Sequence, residues 1–315
     1  MVLNRPIRIG TRGSRLALWQ AHHVAACLEL AQLTTEIVII TTKGDVVLDR
    51  SLDKIGAKGV FTEELEESLR SGAIDIAVHS AKDVQSTIPE DLELLAFMER
   101  EKVNDVIVSY DPNLDLSRPD LVLGTSSTRR KAMLRRHYPH ATTAEARGNL
   151  QTRLRKLEEG QYHALVLAYA GVHRMEYDSL IRHVLPETQF VPATGQGSVA
   201  VECARSLEPA LKAELQRALD HKATHTCLLA ERAFLRTMEG GCSIPSFALA
   251  TLTETGTLQL HGGLISLDGQ QYLEEILTTA DLSQVEALGT ELAERVLRRG
   301  GRQILDDIRS QRAVS

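Results

Sequence analysis

The sequence predicts an α/β protein made of two similar lobes and a smaller α+β domain at its C-terminal end. Three observations carry this. At 315 residues the chain is longer than a single hydrophobic core usually organises. A strand–Gly–Thr–helix unit occurs twice, at Gly10-Thr11 and at Gly124-Thr125. With these superposed, Ser14-Arg15 falls on Thr128-Arg129. From about residue 217 the texture changes, and strands and helices become punctuated by glycine.

The elements follow in order. Ile7-Arg8-Ile9 is a short strand that runs into Gly10-Thr11-Arg12-Gly13-Ser14, and a helix continues from about Arg15 to Leu30 with Leu16, Trp19, Val24, Cys27 and Leu28 near helical spacing. Ile37–Ile40 is a second strand. Lys43 to Gly59 carries three glycines and three lysines and reads as a long mobile loop. Thr62 is placed to cap the next helix, with Glu63 and Glu64 in its first turn and Arg70 near its end, as the helix dipole favours. Ile74–Val78 is a buried strand leading into His79-Ser80-Ala81-Lys82-Asp83. Leu121–Leu123 opens the second unit, whose helix runs on to Pro139. Asn149 and Gly160 bracket a further helix, and Ala164–Ala168 is the strand after it. Pro192 to Gly197 is a turn-rich junction before an alternating strand, Ser198–Cys203. A helix from about Lys222 to Glu239 should stop at Gly240-Gly241. Strands broken by Gly256, Gly262-Gly263 and Asp268-Gly269 come next, and a helix from about Leu282 to Arg299 should end at Gly300-Gly301.

Composition narrows the function classes. No apolar run approaches the ~18–20 residues needed to span a bilayer, and the N-terminus has no apolar signal core, so a cytoplasmic protein is expected. Cys27, Cys203, Cys227 and Cys242 form no CxxC pair, which argues against a zinc site and a disulfide framework; no metal is expected. A net charge of −6 and aromatics at only 4% argue against a nucleic-acid partner. Charge is nevertheless unevenly placed. Gly124 to Arg155 holds seven arginines and one lysine against the single acid Glu145, and Met1 to Arg15 holds four arginines and no acid.

Those arginines sit at two helix starts. A helix N-terminus offers unpaired N–H groups and partial positive charge, which suits phosphate or carboxylate. Ser14, Ser126 and Ser127 add hydroxyls; Arg12, Arg129 and Arg130 add guanidinium forks that bind carboxylates bidentately. Gly195-Gln-Gly197-Ser-Val-Ala200 fits a dinucleotide pattern, but a strand rather than a helix follows it. Lys82-Asp83 lies just past a buried strand, where α/β sheets place ligands, although a neighbouring Lys-Asp pair is as often a surface pair. A fixed Asp83 carboxylate suits a substrate that develops positive charge. His79 could be a base or a packed histidine. Cys242 follows a double-glycine stop, on a loop; a helix C-terminus disfavours the thiolate, which suits a thiol alkylated once and kept.

Several segments together resemble the hydroxymethylbilane synthases, also called porphobilinogen deaminases. They are Ile9-Gly-Thr-Arg-Gly-Ser-Arg-Leu-Ala-Leu-Trp-Gln20, Lys58-Gly-Val-Phe-Thr-Glu-Glu-Leu-Glu66 and Asp75-Ile-Ala-Val-His-Ser-Ala-Lys-Asp-Val84, then Gly124-Thr-Ser-Ser-Thr-Arg-Arg130, Arg147-Gly-Asn-Leu-Gln-Thr-Arg153, Gly195-Gln-Gly197 and Glu239-Gly-Gly-Cys242. The match spans nearly the whole chain, in order.

The resemblance implies a transferase that joins four porphobilinogen molecules head to tail, releases ammonia at each step and frees hydroxymethylbilane by hydrolysis. It implies a dipyrromethane cofactor held by a thioether to Cys242, and Asp83 as catalytic carboxylate. Lys82, Ser14, Ser127, Arg129 and Arg130 match cofactor-binding positions; Arg12, Arg147, Arg153 and Arg174 match positions that bind substrate carboxylates. Lys54, Lys58 and Phe61 fall in or beside a loop that covers the cleft. The fold implied is two periplasmic-binding-protein-like lobes and a third domain. The divisions are 1–98 with 196–216, then 99–195, then 217–315, in a monomer without a nucleic-acid or membrane partner. Gln85 stands where proline is usual in that family, Ala81 replaces a larger apolar residue, and Thr194 stands where valine or proline is usual. The rival reading is a non-enzymatic two-lobed anion-binding protein, which gives Cys242 no role.

Overall fold

The computed structural model describes residues 5–42, 62–239 and 244–313. Lys54, Lys58, Phe61 and Cys242 lie outside the described residues, as does the whole of the predicted Lys43–Gly59 loop.

The chain forms β1 (Ile7–Thr11), α1 (Arg15–Leu30), β2 (Thr35–Ile39), α2 (Glu63–Arg70), β3 (Ile76–Ser80), a 3₁₀ turn at Ala81–Asp83, and β4 (Leu92–Phe97). Next come β5 (Asp105–Val108), β6 (Val122–Gly124), α3 (Thr128–His137), β7 (Thr142–Ala144), α4 (Leu150–Glu158), β8 (Ala164–Ala168), α5 (Tyr169–Arg174) and β9 (Ile181–Val184). The remainder is β10 (Val199–Ala204), α6 (Pro209–Leu219), α7 (Lys222–Thr237), β11 (Ser246–Leu252), β12 (Leu258–Ile265), β13 (Tyr272–Thr279), α8 (Val285–Val296) and α9 (Arg302–Ala313).

Two compact units result. Residues 1–101 and 197–225 form one; residues 102–196 and 226–315 form the other. The first holds a sheet ordered β2-β1-β3-β10-β4 and the second a sheet ordered β7-β6-β8-β5-β9. In each, three parallel strands are followed by an antiparallel fourth strand, which pairs antiparallel with the fifth. The two lobes therefore share one topology, as the duplicated strand–Gly–Thr–helix unit predicts.

Packing explains both glycines of that unit. A Cβ at Gly10 would lie 2.2 Å from Ile74 Cδ1, and one at Gly124 would lie 2.9 Å from Leu165 Cδ2 and Tyr162 Cγ. The helix caps correct the superposition, however. Ser14 Oγ accepts from Ala17 N–H and caps α1; in the second lobe Ser127, not Thr128, caps α3 by accepting from Arg130 N–H. The second Gly–Thr loop is thus one residue shorter, so Ser127 is the counterpart of Ser14.

Helix α6 inserts Leu211, Leu215 and Leu219 into the first lobe's core beside Val24, Leu28 and Val201, which draws that unit on to His225. Within the second unit, β11–β13 form an antiparallel sheet with the period-2 alternation of a strand buried on both faces. Phe247 and Leu249 join Leu123, Met133 and Phe190, whereas Ala248 and Ala250 join Phe234, Leu260 and Leu292.

Three punctuation readings change. Gly262-Gly263 lie inside β12, where a Cβ at Gly263 would meet Leu273 O at 2.2 Å and Phe247 Cζ at 2.5 Å. Their role is close packing, not a turn. Helix α7 ends at Thr237, and Glu239 adopts the left-handed conformation (φ 47°) ahead of the glycines. At Gly300 (φ 116°) the chain kinks and then continues as α9 instead of ending.

Candidate active site

In the first lobe the carboxyl ends of the parallel strands and the start of α1 enclose a pocket. Arg12, Ser14, Gln20, Thr62, Ser80 and Asp83 line it, with His79 and apolar side chains. Strand β1 delivers Arg12 and Ser14, and β3 delivers Asp83 on the 3₁₀ turn that follows it. Asp83 is exposed and has no hydrogen-bond or ion-pair partner among the described residues, whereas Lys82 is half-buried. Gln20 donates to Ser80 Oγ at 2.9 Å. His79 resolves toward the packed alternative: its ring is 6% exposed, and Nε2 lies 3.1 Å from Oε2 of Glu202, itself 1% exposed.

In the second lobe Ser126, Ser127, Arg129, Arg130, Arg147 and Arg153 gather around the starts of α3 and α4. Ser126 Oγ accepts from Ala146 N–H at 3.1 Å, which ties the loop before α3 to the loop before α4. Asn149 caps α4 by accepting from Thr152 N–H at 2.9 Å. Arg147 is half-buried and donates through Nε to Glu145; Arg153 donates through Nε to Gly148 O at 2.8 Å. Burial acts to raise the pKa of Glu145, but bonds from Lys131, Ser126 and Arg147 bring it down to about 2. Arg174 ends α5, half-buried.

Arg129 and Arg130 differ from the others. They are 4% and 6% exposed and converge on Asp105, which is fully buried at the start of β5. Arg129 Nη2 donates to Oδ2 at 2.7 Å; Arg130 donates to Oδ1 through Nη2 at 2.8 Å and Nε at 3.0 Å; Gln196 adds a bond at 2.9 Å. Burial alone would raise the Asp105 pKa, but the two guanidinium charges and these bonds hold it well below the usual carboxylate range. The remaining guanidinium edges reach Val191 O and Val166 O. Arg129 Nε is buried without a hydrogen-bond partner among the described residues.

Sequence reasoning missed Asp105, Glu202 and Gln20. The one signal for Asp105 is an acid opening an otherwise apolar strand, Asp105-Val-Ile-Val. Glu202 and Gln20 sit in ordinary strand and helix patterns with no such mark. Of the described cysteines, Cys203 and Cys227 are buried and Cys27 half-buried. Burial, with Glu93 nearby, pushes the Cys203 thiol up to about 12, and burial raises that of Cys27.

A repeated lobe that sets hydroxyls and arginines at helix starts, plus an α+β domain, defines a two-lobed α/β protein with a C-terminal addition. Among solved structures, the periplasmic VFT2 domain of Bordetella pertussis BvgS is similar at 20% identity and a TM-score of 0.42, covering 67% of this chain and 86% of that one. A family model described as porphobilinogen deaminase, dipyromethane cofactor binding domain, matches residues 7–212. A second, porphobilinogen deaminase, C-terminal domain, matches residues 225–298. A porphobilinogen deaminase of Cytophaga hutchinsonii is 56% identical over 309 residues, 98% of each chain. One of Desulfosudis oleivorans is 50% identical over 311 residues, covering 98% of this chain and 99% of that one. The chain belongs to the porphobilinogen deaminase family, transferases with a dipyrromethane cofactor.

Proposed function

We propose that this chain condenses four porphobilinogen molecules on a dipyrromethane primer attached to Cys242, releases ammonia at each addition, and frees hydroxymethylbilane by hydrolysis. The observation that carries the reading is Asp83: an exposed carboxylate without a described partner, in one pocket with Arg12 and the capped start of α1. As the aminomethyl C–N bond of porphobilinogen breaks, nitrogen leaves with the bonding pair and positive charge spreads over the pyrrole ring. A carboxylate that only accepts hydrogen bonds can take the pyrrole N–H and stabilise that charge.

The residues present fit a carboxylate-rich primer. Each lobe offers a serine-capped helix start, and the half-buried Arg12, Arg147 and Arg153 supply further charged donors. The buried Arg129 Nε is an orphan donor that a carboxylate would satisfy. Ser14, Lys82, Ser127, Arg129 and Arg130 would hold the primer, with Arg130 kept in place by Asp105. When bound, that group supplies the pyrrole α-carbon that is extended. Arg12, Arg147, Arg153 and Arg174 bind the acetate and propionate groups of incoming substrate. Asp105 pre-orients its two arginines, so that little ordering is left to occur on binding.

Lys54, Lys58 and Phe61 are assigned to a loop that closes over the pocket. Residues 217–315 are taken as the anchor-bearing domain, 1–98 with 196–216 as the catalytic lobe, and 99–195 as the arginine-rich lobe. Among the described residues no helix is long and apolar enough to cross a membrane, and we assign the protein to the cytoplasm as a monomer. The test is ammonia release from porphobilinogen by wild-type and Asp83→Ala protein. Turnover by the first and at least a hundredfold less by the second is expected; near-normal turnover by Asp83→Ala removes its assigned role.

A further inference from the structure

Asp83 has no hydrogen bond of its own among the described residues, so its direction depends on the backbone of the turn that carries it. Among the described residues, contacts at both of its ends hold that turn. At its start, Ala81 N–H donates to Ser198 O on the approach to β10 at 3.0 Å. Beyond its end, the side chain of Gln85 reaches α2: Nε2 donates to Thr62 Oγ1 at 3.1 Å and to Glu66 Oε1 at 3.1 Å. Between them Val84 is buried. An ionised carboxylate only accepts, so the amide nitrogen must face Glu66.

Both acceptors are buried: Thr62 is 3% exposed and Glu66, on α2, 6%. Glu66 also faces Arg70 at 3.6 Å, so a buried charge is matched and the site is well determined. Thr62 precedes α2, yet its hydroxyl makes no cap to that helix, contrary to the sequence expectation. Gln85 engages it instead, and Thr62 lines the same pocket as Asp83. One side chain therefore joins the catalytic turn to a wall of the pocket. A proline at 85 has no side-chain donor and could not make this tie.

Resting on the assignment of Asp83 as the working carboxylate, we infer that Gln85 is a positioning residue that fixes Asp83 relative to Thr62. Displacement of about 1 Å in a reacting group lowers rate steeply, whereas substrate carboxylates bound elsewhere are held as before. Loss of the tether should thus act on kcat and spare KM.

The test compares Gln85→Ala, Thr62→Val and the double variant, each loaded with cofactor as judged by intact mass and folded as judged by calorimetry, for steady-state ammonia release. Thr62→Val is close in shape and removes only the hydroxyl that accepts from Gln85, so it reports even where Gln85→Ala is destabilised. The expected result is roughly a tenfold fall in kcat for Gln85→Ala, a smaller fall for Thr62→Val, KM within about twofold, and a double variant no worse than Gln85→Ala. Unchanged kcat in folded Gln85→Ala, a change confined to KM, or multiplication of the two single effects overturns the inference. Near-normal turnover by Asp83→Ala, assayed alongside, overturns the Asp83 reading instead.

Discussion

Replacing Asp105 by asparagine keeps the shape of the side chain and removes the charge on which two buried guanidinium groups depend. Asp105 is 0% exposed and receives two bonds from Arg130, one from Arg129 and one from Gln196, all between 2.7 and 3.0 Å. Water cannot replace it, because Arg129 and Arg130 are nearly as buried. Breaking a buried pair by removing one partner costs roughly 3–5 kcal/mol, much of it the penalty of an uncompensated charge. For a unit of this size each kcal/mol is worth about 2–4 °C, so Asp105→Asn should lower the melting temperature of the second lobe by roughly 6–20 °C. Differential scanning calorimetry at neutral pH measures this. The sign with pH follows from a carboxylate whose pKa is depressed on folding. Its stabilisation is complete above the ordinary Asp pKa near 4 and fades only as pH falls below that. The difference between wild type and variant should hold from pH 8 to pH 5 and shrink in stronger acid. A shift under 2 °C, or one that grows below pH 4, refutes the idea that Asp105 holds both arginines.

Further outcomes follow from the same reasoning. His79→Leu leaves Oε2 of the buried Glu202 without its bond to His79, beside an Oε1 that has no partner among the described residues, and should cost about 1–3 kcal/mol in urea unfolding; a loss under about 0.5 kcal/mol would contradict the buried hydrogen bond. Gly289→Ala sets helix propensity, a gain of about 1 kcal/mol, against a Cβ 2.2 Å from Ala230 O and 2.9 Å from Ala233 Cβ. Overpacking against backbone should win, with a net loss of about 1–2 kcal/mol by calorimetry, and a stabilised variant would show that α8 and α7 yield freely. With its thiol pushed up to about 12, Cys203 should be on the order of one ten-thousandth thiolate at pH 8. Peptide mapping after brief iodoacetamide treatment of the native protein should find it unmodified, and labelling at the rate of a free thiol would contradict its burial.

The fold was legible where local chemistry repeats. Gly10-Thr11 and Gly124-Thr125 announce two lobes because a strand entering a helix at close quarters needs the same residues both times. Ala164–Ala168 reads as a strand because it is a buried apolar run, and Ile74–Val78 because apolar residues dominate it around the single acid Asp75. What stayed hidden depends on chain that arrives from far away. Asp105 lies 24 residues before Arg129 and reaches it only because β5 inserts antiparallel beside β8. Glu202 lies 123 residues from His79 and meets it through β10. The arginine count pointed to a ligand for carboxylate, but it could not separate the two arginines already committed to Asp105 from those nearer solvent. Gly262-Gly263 misled for a related reason: glycine at a turn and glycine beneath Phe247 look alike until the neighbour is known.

The central claim is that this chain carries a dipyrromethane primer on Cys242. Intact mass of the purified protein tests it most directly. Wild-type protein should exceed its sequence mass by one dipyrromethane, and Cys242→Ser should match its sequence mass and release no ammonia from porphobilinogen. Wild-type protein at its unmodified mass, or Cys242→Ser retaining the excess, would contradict the account.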